Sequence, residues 1–313
     1  MAKATTKRKK SKPAKRGARK APRLAFRGAA PKKKSAKKPQ RTKAKAKAKA
    51  NKPHGGTAPA KKKASTSAST GARETIGSIT VPSGKLAIFD VGLVGHLPMA
   101  ALEPALVLVD APSDRTLDVV GVRVGKGRYA DCWDHVAVEL GRGEIASTRK
   151  LGEAGVDFAR LVCMDRAALD HWQHEDSLDG LADFVFWGRD AGELARVMAA
   201  PSMSEGYGWT DLSVAEAEAK ADRAARLKSE HHWLLATDFR PHSHHFQALG
   251  AARKSRSGAG TIEVAGAQVC LFFTSWGDGV FPIYLDLDDD ERPVRVRIQL
   301  ASAASDAAMR AVN

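Results

Sequence analysis

The first 73 residues of the chain contain no aspartate or glutamate, and Glu74 is the first acidic residue. They contain a single aromatic side chain, Phe26, and few other large apolar residues. Such a segment buries too little apolar surface to offset the entropy lost on ordering, so we expect residues 1–72 to be a disordered polycationic tail and linker. One ring also provides no stacking platform for single-stranded nucleic acid.

Long apolar runs are missing throughout the chain. No stretch approaches the roughly 18 residues that a membrane-spanning helix needs, and no apolar stretch follows the charged N-terminus, so we expect no secretory signal sequence. Cysteine is scarce: Cys132, Cys163 and Cys270 form neither an even framework nor a C-x-x-C pair, which is typical of a reducing compartment. We therefore predict a cytoplasmic protein that has no membrane partner.

The common catalytic and nucleotide-binding motifs are also missing. Gly121, Gly125 and Gly127 do not form the G-x-G-x-x-G pattern of dinucleotide-binding proteins, and no predicted helix follows them. The G-x-S-x-G and phosphate-loop patterns do not occur. We expect no cofactor, and whether the protein is an enzyme stays open.

Basic charge is abundant, and it is concentrated in the segment that lacks acids. Residues 1–72 hold 20 Lys and 6 Arg, a formal charge of +26, whereas the remaining 25 basic and 35 acidic residues give −10. This asymmetry predicts that the tail binds polyanions, with DNA or RNA as the partner. The alternatives are a solubilising tail or a tail that binds acidic proteins.

We expect the tail to bind nucleic acid through phosphate contacts and release of counterions, without sequence preference. This function would add association with the nucleoid to the cytoplasmic localisation. The tail residues expected to contact phosphates are Lys7, Arg8, Lys9, Lys10, Lys32, Lys33, Lys34, Lys43, Lys45, Lys47, Lys49, Lys61, Lys62 and Lys63.

Residues 73–300 have the composition of one α+β globular domain, followed by a flexible C-terminus at residues 301–313. Hydrophobic patterns and turn residues predict strands, then a central helical stretch, then strands again, which favours largely antiparallel sheets. The predicted strands are Ile79–Val81, Lys85–Phe89, Ala105–Val109, Leu117–Val124, Tyr129–Leu140, Thr261–Val264, Val269–Thr274, Val280–Leu285 and Pro293–Leu300. The predicted helices are Arg166–His174, a short helix after Asp190, and one that opens with a capping box at Ser213–Glu216.

The segment Trp276-Gly-Asp-Gly-Val-Phe-Pro-Ile-Tyr284 resembles the C-terminal signature of a bacterial family called domain of unknown function 4241. The matching residues are Trp276, Gly277, Asp278, Gly279, Pro282 and Tyr284. Further motifs resemble the same family at Ser83–Leu86, Gly155–Asp157, Cys163–Asp165 and Arg240–His242. The resemblance covers about residues 76–300 and implies a fold but no activity.

One segment departs from that family. Phe158-Ala-Arg160 stands where small residues and glycine are usual in that family, so a role of this loop in the family is not assigned to this chain. The Lys/Ala/Pro-rich tail lies outside the resemblance and is similar in composition to the tails of linker histones and their bacterial counterparts.

The first candidate site residue is Asp278, between Gly277 and Gly279. A carboxylate displayed on a tight turn could bind a metal or act as a general base. The alternative is a turn between strands, in which the glycines supply positive φ angles and the aspartate binds its own backbone.

The second candidate group contains the histidines His231, His232, His242, His244 and His245. A hairpin-like return of the chain would bring them together as ligands for zinc or another transition metal. Their spacing matches no known zinc motif, and the alternative is that they lie in loops and face solvent. We predict no metal site.

Cys163 is the third candidate, because a thiol nucleophile could pair with His135 or His242 and an acid. Its apolar neighbours favour a buried strand end and an inert thiol. The acidic run Asp286–Glu291 lacks the glycine and the distant glutamate of a calcium loop, so it is predicted to be a solvated hairpin turn.

Two functional hypotheses follow. The first is a non-enzymatic protein in which the tail binds nucleic acid and the acidic domain binds a protein or small ligand. The alternative is a hydrolase-like or metal-dependent enzyme with a site near His242 and Asp278.

Overall fold

The structure is a computed structural model that describes residues 71–302. All but two residues of the predicted tail and linker, and all but two residues of the predicted flexible C-terminus, lie outside this range. The strands are β1 (Arg73–Thr80), β2 (Lys85–Phe89), β3 (Val107–Asp110), β4 (Thr116–Arg123), β5 (Trp133–Glu139), β6 (Ser147–Val156), β7 (Arg160–Asp165), β8 (Leu181–Gly188), β9 (Ser202–Met203), β10 (Gly206–Ser213), β11 (Leu235–Pro241), β12 (Ala259–Val264), β13 (Ala267–Phe273), β14 (Gly279–Leu287) and β15 (Pro293–Gln299). The α-helices are α1 (Met99–Leu102), α2 (Ala191–Met198), α3 (Val214–Glu230) and α4 (His244–Lys254). Short 3-10 helices form at Val91–Gly95, Glu103–Ala105 and Ala168–His171.

The strands form three sheets. Their orders are β1-β4-β5-β15-β14-β6, β12-β13-β7-β2-β3 and β11-β8-β10-β9. Every strand pair within residues 71–302 is antiparallel. The prediction of a sheet-rich fold with largely antiparallel pairing is therefore confirmed.

The main core lies between the six-stranded and the five-stranded sheets. It contains inward-facing residues of both, among them Val136 and Ile298 from one sheet and Leu161 and Phe272 from the other. In β15 the valines and isoleucine are buried and alternate with half-exposed polar residues, as the sequence pattern predicts. Sheets that each bury one face in this way pack against each other.

The five-stranded sheet is also covered on its other face. Phe89 and Met164 on that face pack in a second core with Leu249 of α4 and with Leu169 and Trp172 of the 168–171 helix region. The four-stranded sheet has a third core of its own, formed with α2 and α3. Within residues 71–302, no helix combines the length and the apolar character that crossing a bilayer requires.

Helices α2 and α3 form where their sequence patterns predict. Leu194 and Met198 form the buried face of α2, and α3 begins with both hydrogen bonds of the Ser213–Glu216 capping box. The side chain of Asp190 does not cap α2, because its carboxylate accepts a hydrogen bond from the Leu234 backbone at 2.6 Å instead.

The predicted helix Arg166–His174 is wrong, since only the short 3-10 helix Ala168–His171 forms there. The chain becomes extended at Trp172, and the backbone of Gln173 bonds to His244 and His245 instead of continuing the helix. The central helical stretch is also not continuous. Strands β8 to β11 alternate with α2 and α3, because residues 181–188 pair with two neighbouring strands.

The acidic run Asp286–Glu291 is not a wholly solvated turn. Asp286 belongs to β14, its side chain is 1% exposed, and it forms ion pairs with Arg295 at 2.7 Å and Arg297 at 3.0 Å. Asp288 is also buried and accepts hydrogen bonds from the backbone of the same turn. The turn itself is short, and its exposed members are Asp289 and Asp290.

Replacing Asp286 with asparagine should lower the free energy of unfolding by about 3 kcal/mol, because two half-buried guanidinium groups lose their counter-charge. Asp289→Asn on the exposed turn is the matched control, and it should change this quantity by less than about 0.5 kcal/mol. Urea unfolding of the full chain measures both. Equal stabilities for the two variants would contradict a structural role for the buried carboxylate.

The same carboxylate gives an acid dependence with a defined sign. Burial acts to raise the pKa of Asp286, but hydrogen bonds from Arg297 and Arg295 outweigh it and hold that pKa below its usual value. The stabilisation is therefore complete above the ordinary carboxyl pKa and is lost as the pH falls through the lowered one. The stability difference between the parent and Asp286→Asn should shrink over that acid range.

Candidate functional site

The three residues named as catalytic candidates lie on three different sheets. Cys163 is in β7, His242 directly follows β11, and Asp278 directly precedes β14. Among residues 71–302, no hydrogen bond or ion pair joins any two of the three. The fold therefore does not assemble them into one catalytic group through direct contacts.

Cys163 is fully buried, and its cross-strand partner in β13 is Cys270. Burial raises the pKa of the Cys163 thiol well above its ordinary value and raises the pKa of Cys270 to about 12. His135, considered as a base for this thiol, lies in β5 and contacts Asp134 instead. The burial and the raised pKa favour an inert thiol over a nucleophile.

Three loops meet at one end of the five-stranded sheet. β2, β7 and β13 are antiparallel neighbours, so the end of β2, the start of β7 and the end of β13 lie side by side. The loops that continue from these ends are residues 90–98, 157–159 and 274–278. Polar side chains that are far apart in the sequence come together here.

Asp90 is the central carboxylate of this loop region, and it is fully buried. Its Oδ2 accepts hydrogen bonds from the backbone of Asp157 at 2.8 Å and Phe158 at 2.9 Å, and its Oδ1 accepts one from Gly92 at 2.8 Å. Burial raises the pKa of Asp90 even though these bonds oppose the shift. Sequence analysis missed this residue, since a lone aspartate after an apolar strand has no motif.

Asp278 joins the family-like signature to the same loop. Its carboxylate accepts a hydrogen bond from the backbone of Ala159 at 2.9 Å, and Gly277 has the positive φ of 75° that the tight turn requires. Trp276 is buried, and its indole donates to the carbonyl of Trp133. The geometry favours a structural turn whose carboxylate binds another loop.

A second pair of family-like motifs is joined in the same way. Asp165 accepts hydrogen bonds from both the backbone and the hydroxyl of Ser83, at 2.6 and 2.7 Å, and from the backbone of Ala167. The motif residues Pro282 and Tyr284 lie within β14. The segments that carry the resemblance therefore make structural contacts with one another.

The departing segment Phe158-Ala-Arg160 fills the space between these loops. The Phe158 ring stacks on His96 with centroids 4.9 Å apart, and it lies so close to Gly92 that a Cβ there would be 2.5 Å from the ring. The Arg160 guanidinium lies 5.2 Å from the same ring. Ala159 has a φ of 53°, which explains why glycine suits this position.

A different polar group surrounds His242, and we call it the His242 cluster: Asp179, Asp183, Asp211 and His242. His242 Nδ1 lies 2.9 Å from Asp179, and its Nε2 lies 3.3 Å from Asp183 and 3.8 Å from Asp211. The donor atoms of Asp183, Asp211 and His242 all lie within 4.8 Å of one another. Sequence analysis singled out His242 but none of its three carboxylates.

The neighbouring strands β8, β10 and β11 explain this convergence. Asp183 lies on β8, the central strand of the three, and His242 follows the end of β11. The register between β10 and β8 shifts between Trp209 and Leu212, and Asp211 within this bulge has a φ of 55°. A bulge turns a side chain out of the regular alternation, and here it directs Asp211 towards the other two donors.

The proton arrangement of His242 follows from its neighbours. The contact with Asp179 favours a proton on Nδ1, so Nε2 faces the Asp183 and Asp211 carboxylates either as a second N–H or as a metal ligand. Partial burial disfavours the charged ring, but hydrogen bonds to Asp179 and Asp183 outweigh it and raise the pKa of His242. The hydrogen bond to His242 lowers the pKa of Asp179 to about 2.

The other histidines are not gathered around His242 by a hairpin return. His231 stacks on Trp233 at 4.5 Å, at the opposite end of β11. His244 and His245 are not in a loop, because they form the first turn of α4, and His245 is buried. The expectation that they lie in loops and face solvent is wrong for His245.

The fold and these contacts define a domain of antiparallel sheets with a His242 cluster beside one sheet and a loop region at the end of another. No family model, no curated protein and no solved structure matches the chain. The resemblance to domain of unknown function 4241 is neither supported nor excluded, and it stays an expectation.

Asp90→Asn should lower the free energy of unfolding by about 2 kcal/mol, because the amide cannot accept all three backbone hydrogen bonds and leaves a buried N–H without a partner. The control is Asp157→Asn in the same loop, whose side chain is exposed and should tolerate the change. Urea unfolding of both variants provides the comparison. A similar loss in the two variants would show that the loop does not depend on the Asp90 carboxylate.

Proposed function

We propose that this protein binds nucleic acid without sequence preference through residues 1–72 and that its acidic domain binds a further partner or small ligand. The observation that supports the proposal is the division of charge, +26 in the first 72 residues and −10 in the remainder. A charge of this density on a segment without acids exceeds what solubility requires.

The physical basis is the release of counterions from phosphates. Each phosphate contact with a lysine or arginine adds about 0.9 to the slope of log affinity against log salt for duplex DNA. Ten contacts would give a slope of about −9, so binding would be tight at low salt and weak at high salt. Phosphate contacts carry no sequence information, which is why no preferred site is expected.

The first test compares the full chain with a truncated chain that starts at Arg73. The full chain should bind duplex DNA with a steep salt dependence, and the truncated chain should lose most of the affinity because it carries a net negative charge. Fluorescence anisotropy over a salt series measures both slopes. Equal binding by the truncated chain would overturn the proposal.

A second test keeps the chain length constant. Changing Lys47 and Lys49 to glutamine should reduce the magnitude of the salt slope by up to about 1.8, because two phosphate contacts are lost. The matched control changes Lys126 and Lys254, which are exposed lysines of the folded domain, to glutamine. The proposal requires that the control pair leave the slope unchanged.

The His242 cluster favours a second candidate function, a metal-dependent activity at the domain. Two donors about 2.1 Å from one ion lie about 3.0 Å apart at a right angle and about 3.4 Å apart at the tetrahedral angle. The separation of 3.3 Å between His242 Nε2 and Asp183 fits this range, and the 3.8 Å to Asp211 requires a small adjustment. Asp179 would orient the imidazole from its other side.

The donor set of one imidazole and two carboxylates suits Mn²⁺ or Zn²⁺. Asp278, the other residue of the enzyme hypothesis, binds the Ala159 backbone and does not contact this cluster. The candidate metal centre therefore depends on His242, Asp183 and Asp211. A bound ion would polarise a substrate oxygen or activate a water molecule.

Isothermal titration of the full chain with Mn²⁺ and Zn²⁺ should show one saturable site. His242→Gln should weaken it at least about tenfold, because a direct ligand is lost and outer partners alone change affinity by that factor. His231→Gln, at the other end of β11, is the control. Equal affinity in the two variants would show that the metal does not bind at the His242 cluster and that His242 is a protonated ion-pair partner.

A further inference from the structure

A second cluster of histidines lies at the loop end of the five-stranded sheet, separate from the His242 cluster. We call Arg160, His174 and His245 the Arg160 cluster. The rings of His174 and His245 stack with centroids 3.9 Å apart. Arg160 is the first residue of β7, and its positive charge acts on both rings.

Two nitrogen atoms of this cluster are buried and have no hydrogen-bond partner among residues 71–302. They are Nε2 of His245, a residue that is 7% exposed, and Nε of Arg160. Within residues 71–302, the Arg160 guanidinium forms no ion pair, and its contact is with the face of Phe158. Buried polar groups of native proteins nearly always have partners, so these two atoms indicate a missing occupant.

The nearest acid does not supply the missing partner. Asp90 acts electrostatically on Arg160, but its two oxygens are directed to the backbone of Gly92, Asp157 and Phe158. Burial lowers the pKa of Arg160, and repulsion from the positive charge of Arg253 lowers it further. Asp90 stabilises the charge of Arg160 without a hydrogen bond, and a negative group that bound the half-buried guanidinium directly would stabilise it further.

The remaining atoms of the cluster are arranged to donate. His174 Nδ1 accepts a hydrogen bond from the Trp172 indole at 3.3 Å, which leaves its proton on Nε2. Burial, followed by the Arg160 charge, lowers the pKa of His174 to about 4, and burial with the His174 and Arg160 charges lowers the pKa of His245 to about 2. Both rings are therefore neutral at neutral pH, and each can offer one N–H.

The surroundings add positive potential and hold the rings in place. His245 lies in the first turn of α4, where the helix dipole is positive. The ring of His174 lies against Gly95, so closely that a Cβ there would be 2.4 Å from the imidazole. His96 extends from the same loop and is exposed. Hydrogen-bond donors and one fixed positive charge are the groups that an oxyanion site requires.

We propose that the Arg160 cluster binds a small oxyanion of the phosphate type, with the Arg160 guanidinium as its counter-charge and His245 Nε2 and His174 Nε2 as hydrogen-bond donors. This site is independent of the basic segment and of the His242 cluster. One of its three residues, Arg160, lies in the segment at which the chain departs from the family that it resembles.

The experiment follows the imidazole nitrogens of the uniformly ¹⁵N-labelled full chain by long-range ¹H–¹⁵N NMR during titration with inorganic phosphate. Chloride keeps the ionic strength constant, so binding by the lysine-rich segment does not produce the readout. The resonances of His174 and His245 should shift together and saturate, whereas the resonance of His231 should not move.

Arg160→Gln should weaken the phosphate affinity at least tenfold, and Arg160→Lys should weaken it less, because lysine keeps the charge but not the planar fork. Arg256→Gln and His231→Gln, both at exposed positions, are the controls and should leave the affinity unchanged. Phosphate should also raise the Tm of the parent and of the controls but not that of Arg160→Gln.

Three results would overturn the proposal. They are the absence of a saturable shift at His174 and His245, an equal shift in the Arg160→Gln variant, and a phosphate-induced rise in Tm that survives this substitution. In each case the two buried nitrogens would be partnered by ordered water. If Arg160→Gln fails to fold, the Arg160→Lys variant decides, since unchanged affinity in that variant excludes a bidentate oxyanion contact.

Discussion

Burial of the five-stranded sheet on both faces is the constraint on which the rest of the domain depends. One face packs on the six-stranded sheet, and the other packs on α4 and the 168–171 helix region. A sheet covered on both sides cannot shift its register without moving apolar residues of two cores. The positions of its strand ends are therefore fixed, and so are the positions at which the connecting loops begin.

The polar contacts at those strand ends follow from the antiparallel order. β2, β7 and β13 are adjacent, so loops from residues 90–98, 157–159 and 274–278 emerge at one edge although they are far apart in the chain. Asp90 and Asp278 then bind backbone N–H groups of the middle loop. Both carboxylates are used to hold loop geometry, and within the described part of the chain this leaves Arg160 without a hydrogen bond to an acid.

The sequence predicts the parts of this arrangement that local chemistry determines. β2, α2, the capping box of α3 and the alternation of β15 are each specified by neighbouring residues, and each forms as expected. Arg166–His174 has a helical pattern, but the distant residues His244 and His245 bind the Gln173 backbone where the helix would continue. The strand pairing of residues 181–188 likewise depends on partners more than ten residues away.

The same distinction between local and distant determinants applies to the site residues. His242 can be singled out as a histidine among histidines, but Asp183 and Asp211 reach it only through the pairing of β8 with β10 and β11 and through a bulge in β10. Asp90 and Arg160 belong to no motif. Asp90 is singled out by its burial and its three backbone hydrogen bonds, and Arg160 by a buried nitrogen that has no hydrogen-bond partner among residues 71–302. Neither property can be obtained from residue order without the sheet topology.

A positively charged group such as Arg160 can bind an anion even though the domain has a net charge of −10. Exposed charges act over about 8 Å at physiological salt, whereas a half-buried group such as Arg160 is screened much less. The acidic surface therefore governs how polyanions approach the domain, and Arg160 governs only what enters the space beside His174 and His245. A phosphate held there would be retained at salt concentrations that release DNA from exposed lysines, because its binding depends on desolvated hydrogen bonds more than on counterion release. Salt dependence thus separates the two kinds of phosphate recognition proposed for this chain.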